Sequence, residues 1–294
     1  MKEVKTIVTH NGPFHADDVF AVALLKTLYP ESKVIRTRDP EVIATGDIVL
    51  DVGGMYDPKI YRFDHHQENG AGKRDNGIDL SAIGLIWREY GLEFCDGNEE
   101  VAKKIEEGFV AALDADDNGQ NLYSLTDYDV SPMTLPEVIS LYRPTTHEDE
   151  DFDAAFNRAC EWAGFILQRI KKKRLNSWTD KQEFRKKLES SPDKRYLILD
   201  KFIVGGDVYD DYPELLYTVF PSVNGDWTIR AVSKGKETFT NRKDLPSAWS
   251  GLEKSALAGV TGVEDAVFCH RGLWICGAES KEGALRLLEL AMAN

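Results

Sequence analysis

The sequence predicts an α/β fold with two domains. A parallel-sheet metal-binding domain comes first, then a helical linker, then a smaller C-terminal α/β domain, with a cleft between the two domains. Three observations predict it. Short β-branched runs alternate with longer apolar, helix-like runs through residues 4–113, the signature of a parallel sheet covered by helices. Acids and histidines stand at the ends of those apolar runs rather than within them. A long stretch with helical spacing, 152–190, then separates this region from a second set of short strands. The expected partition is 1–151, 152–190 and 191–294.

In chain order, Val4-Lys5-Thr6-Ile7-Val8-Thr9 reads as a strand running into His10-Asn11-Gly12-Pro13-Phe14-His15-Ala16-Asp17-Asp18. Asn-Gly-Pro is loop chemistry, and Asp17 or Asp18 suits the start of a helix over 19–28. Strands follow at 34–35, 48–52 and 60–63, the second placing Asp51 before a Gly53-Gly54 turn. The third ends in Asp64-His65-His66, whose adjacent side chains point to opposite sides of an extended chain. Residues 70–77, with Lys73 and Arg74, form a loop that is either solvated or closes over a phosphate. Helices are expected at 81–90 and 101–113, the latter leading into Asp114 and Asp117.

Residues 119–151 read as irregular, because Leu135-Pro136 and Arg143-Pro144 interrupt helical spacing. The 152–190 helix carries the basic run 171–174, either a solvated face or a phosphate contact. Strands are expected at 196–204, 215–220, 228–232, 266–270 and 273–276, with a helical segment over 251–259 and an amphipathic helix over 282–292. This second domain holds a positive set that the first lacks: Arg230, Arg242, Lys243, His270 and Arg271.

In open parallel sheets, ligands bind outside the carboxyl ends of the strands. His10, His15, Asp17, Asp51, Asp64, His65, His66, Asp114 and Asp117 are expected to meet there. Carboxylates gathered in a cleft raise one another's pKa unless cations neutralise them. A nitrogen and oxygen shell without sulfur suits Mn²⁺, Mg²⁺, Zn²⁺ or Fe²⁺, and two ions bridged by Asp51 would use the whole set.

The order His-x4-His-x-Asp, a strand-end Asp, then Asp-His-His resembles the DHH phosphoesterase superfamily, which includes family II pyrophosphatases and RecJ-type exonucleases. Thr9-His10-Asn11-Gly12-x-Phe14-His15-x-Asp17, Arg36-Thr37-Arg38-Asp39-Pro40, Asp51-Val52-Gly53-Gly54-x-Tyr56-Asp57-Pro58 and Phe63-Asp64-His65-His66-Gln67 are similar to the Myg family of metal-dependent hydrolases, an uncharacterised protein family. Ser81-Ala82-x-Gly84-Leu85, Asp114-Ala115-x-Asp117-Asn118-Gly119, Trp227-Thr228-x-Arg230-Ala231-Val232 and Phe268-Cys269-His270 extend the likeness over nearly the whole chain. The resemblance implies a DHH-type first domain with His10, His15 and Asp51 on one metal. It puts Asp17, Asp51, His65 and Asp114 on the other, with His66 facing substrate beside Asp64 and Asp117. His15 stands where the superfamily carries a carboxylate, which would make the first site less anionic and move it from Mg²⁺ towards Mn²⁺ or Zn²⁺. The expected cofactor is two divalent ions, Mn²⁺ first, with Mg²⁺ or Zn²⁺ as alternatives. A smaller second domain would close over substrate through His270, Arg230, Arg242 and Arg271.

Composition bounds the reading. With 42% hydrophobic and 29% charged residues the chain is globular, and it has neither a bilayer-spanning apolar run nor a signal-peptide pattern. Cys95, Cys160, Cys269 and Cys276 are far apart with no CxxC pair, which reads as reduced thiols in a cytoplasmic protein. A net charge of −14 disfavours broad non-specific nucleic-acid binding. No phosphate-binding GxxxxGK[ST] loop is present. The expected function is metal-dependent phosphodiester hydrolysis, with 3′–5′ exonuclease action on RNA or short oligonucleotides implied by the resemblance. The alternatives are hydrolysis of a dinucleotide, pyrophosphate or other small phosphate ester, or a metal-stabilised binding protein without turnover. The sequence leaves a homo-oligomer open and points to no membrane partner.

Overall fold

The computed structural model describes residues 3–128, 130–203, 205–235 and 240–294. The chain divides into two compact units, Met1–Leu175 and Asn176–Asn294. The first opens with β1 (Thr6–Thr9), α1 (Ala16–Leu28), β2 (Lys33–Arg36), α2 (Pro40–Thr45) and β3 (Ile48–Leu50). It continues through β4 (Tyr56–Asp57), a 3-10 turn (Pro58–Ile60), β5 (Arg62–Phe63) and α3 (Ala82–Phe94). Then come α4 (Glu99–Ile105), a π-turn (Glu106–Val110), α5 (Ala111–Asp117) and α6 (Leu135–Ser140). The long α7 (Phe152–Ser190) crosses the boundary between the units, so the expected linker belongs partly to each.

The first sheet has the order β2-β1-β3-β5-β4. β1 runs parallel to β2 and β3, and β3 parallel to β5; only β4 is antiparallel, against β5. The direction of winding reverses between β1 and β3, where such sheets open a crevice at their carboxyl edge. On one face α1 is apolar all round, with residues 19–25 buried, and packs on α3. On the other, Val8, Val49 and Val52 pack with Ile35 and Ile43.

Several elements differ from expectation for local reasons. Residues 60–63 are not one strand: Pro58 starts a 3-10 turn capped by Asp57, and Tyr61 takes a left-handed conformation (φ 58°) that returns the chain antiparallel to β4. The 101–113 helix extends to Asp117 through the π-turn, so Asp114 lies inside a helix rather than after one. Pro136 does not prevent α6, because it occupies the first turn, where its missing N–H is not needed, behind a Thr134–Glu137 capping box.

The second unit holds β6 (Tyr196–Ile198), α8 (Val208–Asp211), β7 (Tyr217–Pro221), β8 (Trp227–Ala231) and a 3-10 turn (Ser247–Trp249), followed by α9 (Lys254–Thr261), β9 (Ala266–Cys269), β10 (Ile275–Ala278) and α10 (Lys281–Ala293). Its sheet order is β6-β7-β8-β10-β9, with β6 parallel to β7 and the other pairings antiparallel. The strand expected to run to Val204 stops at Ile198, and Val204 itself lies outside the described residues. β7 alternates faces: Tyr217 and Val219 enter one core with Leu257 and Leu287, while Phe220 enters another with Phe184 and Leu188 of α7. All four cysteines are free thiols. Among the described residues no helix is long and apolar enough to cross a membrane.

The α3 N-terminus is the tightest approach in the first unit. A Cβ at Gly84 would collide with the Asp114 carboxylate, which accepts the Gly84 N–H. Gly84→Ala is therefore expected to destabilise by about 1–3 kcal/mol. Thermal unfolding should show a fall of roughly 2–10 °C. Gly164→Ala, where a Cβ meets nothing within 4 Å, should leave the protein no less stable.

Candidate metal centre

Three neighbouring parallel strands end at one edge of the first sheet, and each hands the next residues to the site. β1 is followed by His10, β3 by Asp51 and β5 by Asp64-His65-His66. Asp51 has a left-handed backbone (φ 54°), which Asp tolerates better than most residues and which turns the chain into Gly53-Gly54. Asp17 and Asp18 come from the first turn of α1, where the helix dipole favours anions. Asp117 comes from the last turn of α5. Arg36 fixes the loop between β1 and α1. Its guanidinium donates to the Gly12 carbonyl at 2.7 Å, pairs with Asp153 at 2.8 Å and lies 4.4 Å from the Phe156 ring centre.

Asp51 is the hub. Its Oδ2 lies 3.2 Å from His10 Nε2, and its Oδ1 lies 3.2 Å from His65 Nε2. His10 Nε2 is also 3.3 Å from Asp18 Oδ2, and His65 Nε2 is 3.3 Å from Asp117 and 3.7 Å from Asp17. Three groups of ligand atoms result, each within 4.8 Å: His10 with Asp18 and Asp51, Asp51 with His65 and His66, and His15 with Asp17 and Asp117. His65 turns inward while His66 keeps 62% of its side chain exposed, as alternation requires. Asp64 is buried. Its carboxylate accepts the Gly54 and His66 N–H groups and sits 2.8 Å from His66 Nδ1, so it orients that imidazole.

The electrostatics are those of acids forced together. Burial raises the Asp17 carboxyl well above its ordinary range, with Asp51 and Asp117 adding to the effect. Burial likewise raises Asp18 and Asp117. Burial also opposes the charges on Asp51 and His10, yet there the partners win: the flanking imidazoles bring Asp51 down to about 2, and Asp18 and Asp51 lift His10 to about 10. On His66 the hydrogen bond to Asp64 raises the pKa against partial burial.

These residues fit a divalent cation on an observation independent of any motif. Asp17 Oδ1, Asp18 Oδ2, Asp51 Oδ1 and His65 Nε2 are buried and have no hydrogen-bond partner, although some of them are close neighbours. Buried polar atoms are nearly always satisfied, and four convergent exceptions are what a coordinated ion would resolve. The donor set is oxygen and imidazole only.

The expected site is redistributed in two places. His15 joins Asp17 and Asp117 rather than His10 and Asp51, and Asp18 stands beside His10 instead. Asp114 does not join the cluster. One of its oxygens accepts the Ser81 and Gly84 N–H groups and the Ser81 hydroxyl, and the other receives Arg74 at 2.6 and 2.9 Å. It caps α3 and buries a salt bridge. Burial still raises its pKa, against the pull of Arg74. The same pair, together with Glu106, ties down the 70–77 loop that was a candidate to close over phosphate.

In the second unit, Arg242 is not presented to a substrate. Its guanidinium donates to the carbonyls of Tyr209, Tyr212 and Leu215, closing the end of α8. Lys243 similarly donates to the Met292 carbonyl. His270, Arg230 and Arg271 are exposed, and the Arg230 guanidinium and His270 ring both lie beside Trp274. In the basic run, Lys171 pairs with Asp96 over the Phe94 ring.

Two site residues escaped the sequence reading. Asp18 was visible as the second acid of Asp17-Asp18, but only as a helix start. Arg143 had no periodic signal. Its Nε donates to the Phe14 carbonyl at 2.6 Å, and it lines a groove of about 600 Å³ with His15, Asp17, His65, His66 and Asp117.

A family profile described as "Uncharacterised protein family (UPF0160)", the MYG1 exonuclease profile, matches residues 6–292. The MYG1 protein of Schizosaccharomyces pombe is 32% identical over 321 residues, covering 99% of this chain and 98% of that one. The MYG1 exonuclease of Homo sapiens is 30% identical, covering 98% and 86%. Among solved structures, RecJ in complex with Mg²⁺ from Thermus thermophilus overlaps at a TM-score of 0.28 and 12% identity; the match covers 99% of this chain, which spans half the length of that RecJ. Exonuclease RecJ bound to manganese overlaps at 0.29 and 13% identity, covering 99% and 91%. Overlap at these scores does not bear on the fold.

The geometry separates two acids three residues apart. With Mn²⁺ at about a hundred times its Kd, the protein should gain about 2.7 kcal/mol and melt roughly 5–10 °C higher. Asp117→Asn should lose most of that rise while leaving the metal-free melting temperature near native. Asp114→Asn should do the opposite, because it strands Arg74 at a cost of about 3–5 kcal/mol. Calorimetry of both variants with and without Mn²⁺ checks the assignment.

Proposed function

The chain belongs to the MYG1 family, and from that premise we propose that it is a divalent-metal-dependent phosphoesterase, a 3′–5′ exonuclease on RNA or short oligonucleotides. The observation that carries the chemistry is the convergence of four buried, unpartnered ligand atoms, two from the ends of neighbouring strands (Asp51, His65) and two from the first turn of α1 (Asp17, Asp18). The exonuclease reading draws on the name borne by relatives at about 30% identity, and the 3′–5′ direction and RNA on the family resemblance.

In this reading His10, Asp18 and Asp51 would hold one cation, and Asp17, His65 and Asp117, with His15 beside them, would hold a second. Mn²⁺ is the first choice, then Mg²⁺ or Zn²⁺. Bound divalent ions supply a water of lowered pKa and neutralise phosphoryl oxygens. The chain's own groups do the rest. Asp64 sets the His66 ring and raises its pKa, so this exposed imidazole lining the groove is placed to carry a proton to a leaving oxygen. Arg143, anchored through Nε, leaves its terminal nitrogens for a non-bridging phosphate oxygen. His270, Arg230 and Arg271 in the second unit are proposed substrate contacts.

Release of mononucleotides from a 3′-labelled RNA in Mn²⁺ tests the reading, run beside small phosphate esters as competing substrates. Asp51→Asn should lower kcat/KM by more than the roughly 10–100-fold typical of residues that only support a ligand. Chelation should abolish turnover, and full activity in chelator would sink the proposal. Hydrolysis of the small esters but not of RNA would reassign the substrate.

A further inference from the structure

Beside the metal centre lies a second cavity, of about 250 Å³, for which the proposed chemistry has no use. Phe109, Ala112 and Leu113 wall it on one side, Leu122 and Tyr123 from the segment after α5 on another, and Pro136 of α6 closes it. It adjoins the groove of the candidate site. Leu113, Asp116, Tyr123, Thr134 and Pro136 line both. The chemistry changes across that common wall. The groove presents imidazoles, carboxylates and Arg143, whereas the cavity presents mostly carbon.

Leu122 and Tyr123 remain about half exposed at this cavity, at 56% and 48%. Of the polar side chains in the wall, Gln120 is already committed, accepting the Asp79 N–H and donating to the Gly77 carbonyl; Asp116 and Thr134 belong to the part shared with the groove, and Asn121 is exposed. What is left suits a flat apolar group held by stacking and contact rather than by edge hydrogen bonds. Ligand sites of this kind pair apolar walls with a few polar groups at one end. A ligand that fills both compartments must join an anion to a planar, weakly polar ring by a short link, and that is the constitution of a nucleotide.

We propose that the cavity is a nucleobase subsite, which seats the base of the nucleotide whose phosphate lies in the adjoining groove, against Tyr123. The assignment rests on the phosphoesterase reading for what occupies the groove. It adds that unit 1 by itself distinguishes a nucleotide from a sugar phosphate. Stacking on one aromatic side chain is sequence-tolerant, so the subsite accepts any base.

The test is calorimetric titration of the full-length protein in Mn²⁺ with adenosine 5′-monophosphate and with ribose 5-phosphate. The native protein should bind the nucleotide at least about tenfold more tightly, within the range that stacking on one side chain supplies. Ala112 is exposed on its helix, so Ala112→Trp fills the cavity without entering the core. That variant should bind the nucleotide no better than ribose 5-phosphate, with the sugar phosphate unaffected. Tyr123→Ala, at another exposed position, should lose severalfold, and Tyr123→Phe should restore it. Equal binding of the two ligands by native protein, no binding of either, or an Ala112→Trp variant that keeps the preference would each overturn the subsite. RNA hydrolysis by the same preparations is read separately. Turnover without base preference removes the subsite and leaves the phosphoesterase, and base preference without turnover does the reverse.

Discussion

The first unit is organised around a charge problem. Asp17, Asp18 and Asp51 are buried close together with Asp117 at their edge, and among the described residues the basic side chains that pair with their carboxylates are the imidazoles of His10, His65 and His66. At about 5 Å and an effective dielectric near 20, each pair of like charges repels by about 3 kcal/mol. Several such pairs approach the whole net stability of a domain, about 5–15 kcal/mol. Two imidazoles relieve part of this, which is why Asp51 keeps a low pKa while Asp17, Asp18 and Asp117 do not. The rest must be relieved by protons or by cations. Four convergent ligand atoms without hydrogen-bond partners favour cations, because one proton joins only two atoms whereas one ion takes several lone pairs at once.

The protein keeps Arg74 away from that cluster by geometry. Asp114 and Asp117 lie one helical turn apart on α5, yet they serve opposite ends of the problem. Asp114 faces the α3 N-terminus, where Gly84 leaves room for its carboxylate, and it draws Arg74 to itself. Asp117, a turn later, reaches His65. Were Arg74 to reach the cluster, its guanidinium would neutralise the acids and compete with a divalent ion. The buried pair is thus a structural tether and also a way of holding positive charge off the site. Arg36 follows the same logic on the other flank, directing its donors to Gly12 and Asp153.

Much of this was legible from local chemistry. Alternating apolar runs pointed to the parallel sheet, and acids and histidines at their ends located the edge where His10, Asp51 and His65 converge. Asp117 could be flagged because it followed the same run as Asp114. The sequence could not say which of the two turned to the site. That choice depends on the π-turn at Glu106–Val110, which resets the phase of the helix and has no compositional signature. Asp18 was hidden by a reading equally good for local reasons, since an acid in a first turn normally needs no further explanation. Arg242 failed differently: an arginine beside a lysine looks like a substrate contact until the three carbonyls it closes are seen. Such contacts join residues some 30 positions apart, out of reach of periodicity.

The acidity of the whole chain then becomes compatible with an anionic substrate. A net charge of −14 provides no broad positive field to gather a polyphosphate backbone, so long-range attraction is not the means of binding. Part of that charge is the cluster itself, whose acids the proposed divalent ions would cancel locally. What remains must come from contacts that do not depend on field strength, and the groove with its apolar annexe supplies both kinds. In the proposed reading, cations and Arg143 would address one phosphate, and Tyr123 with its neighbours one ring. A site built this way takes a chain end or a small nucleotide more readily than the middle of a polymer, because its affinity resides in one residue's worth of substrate.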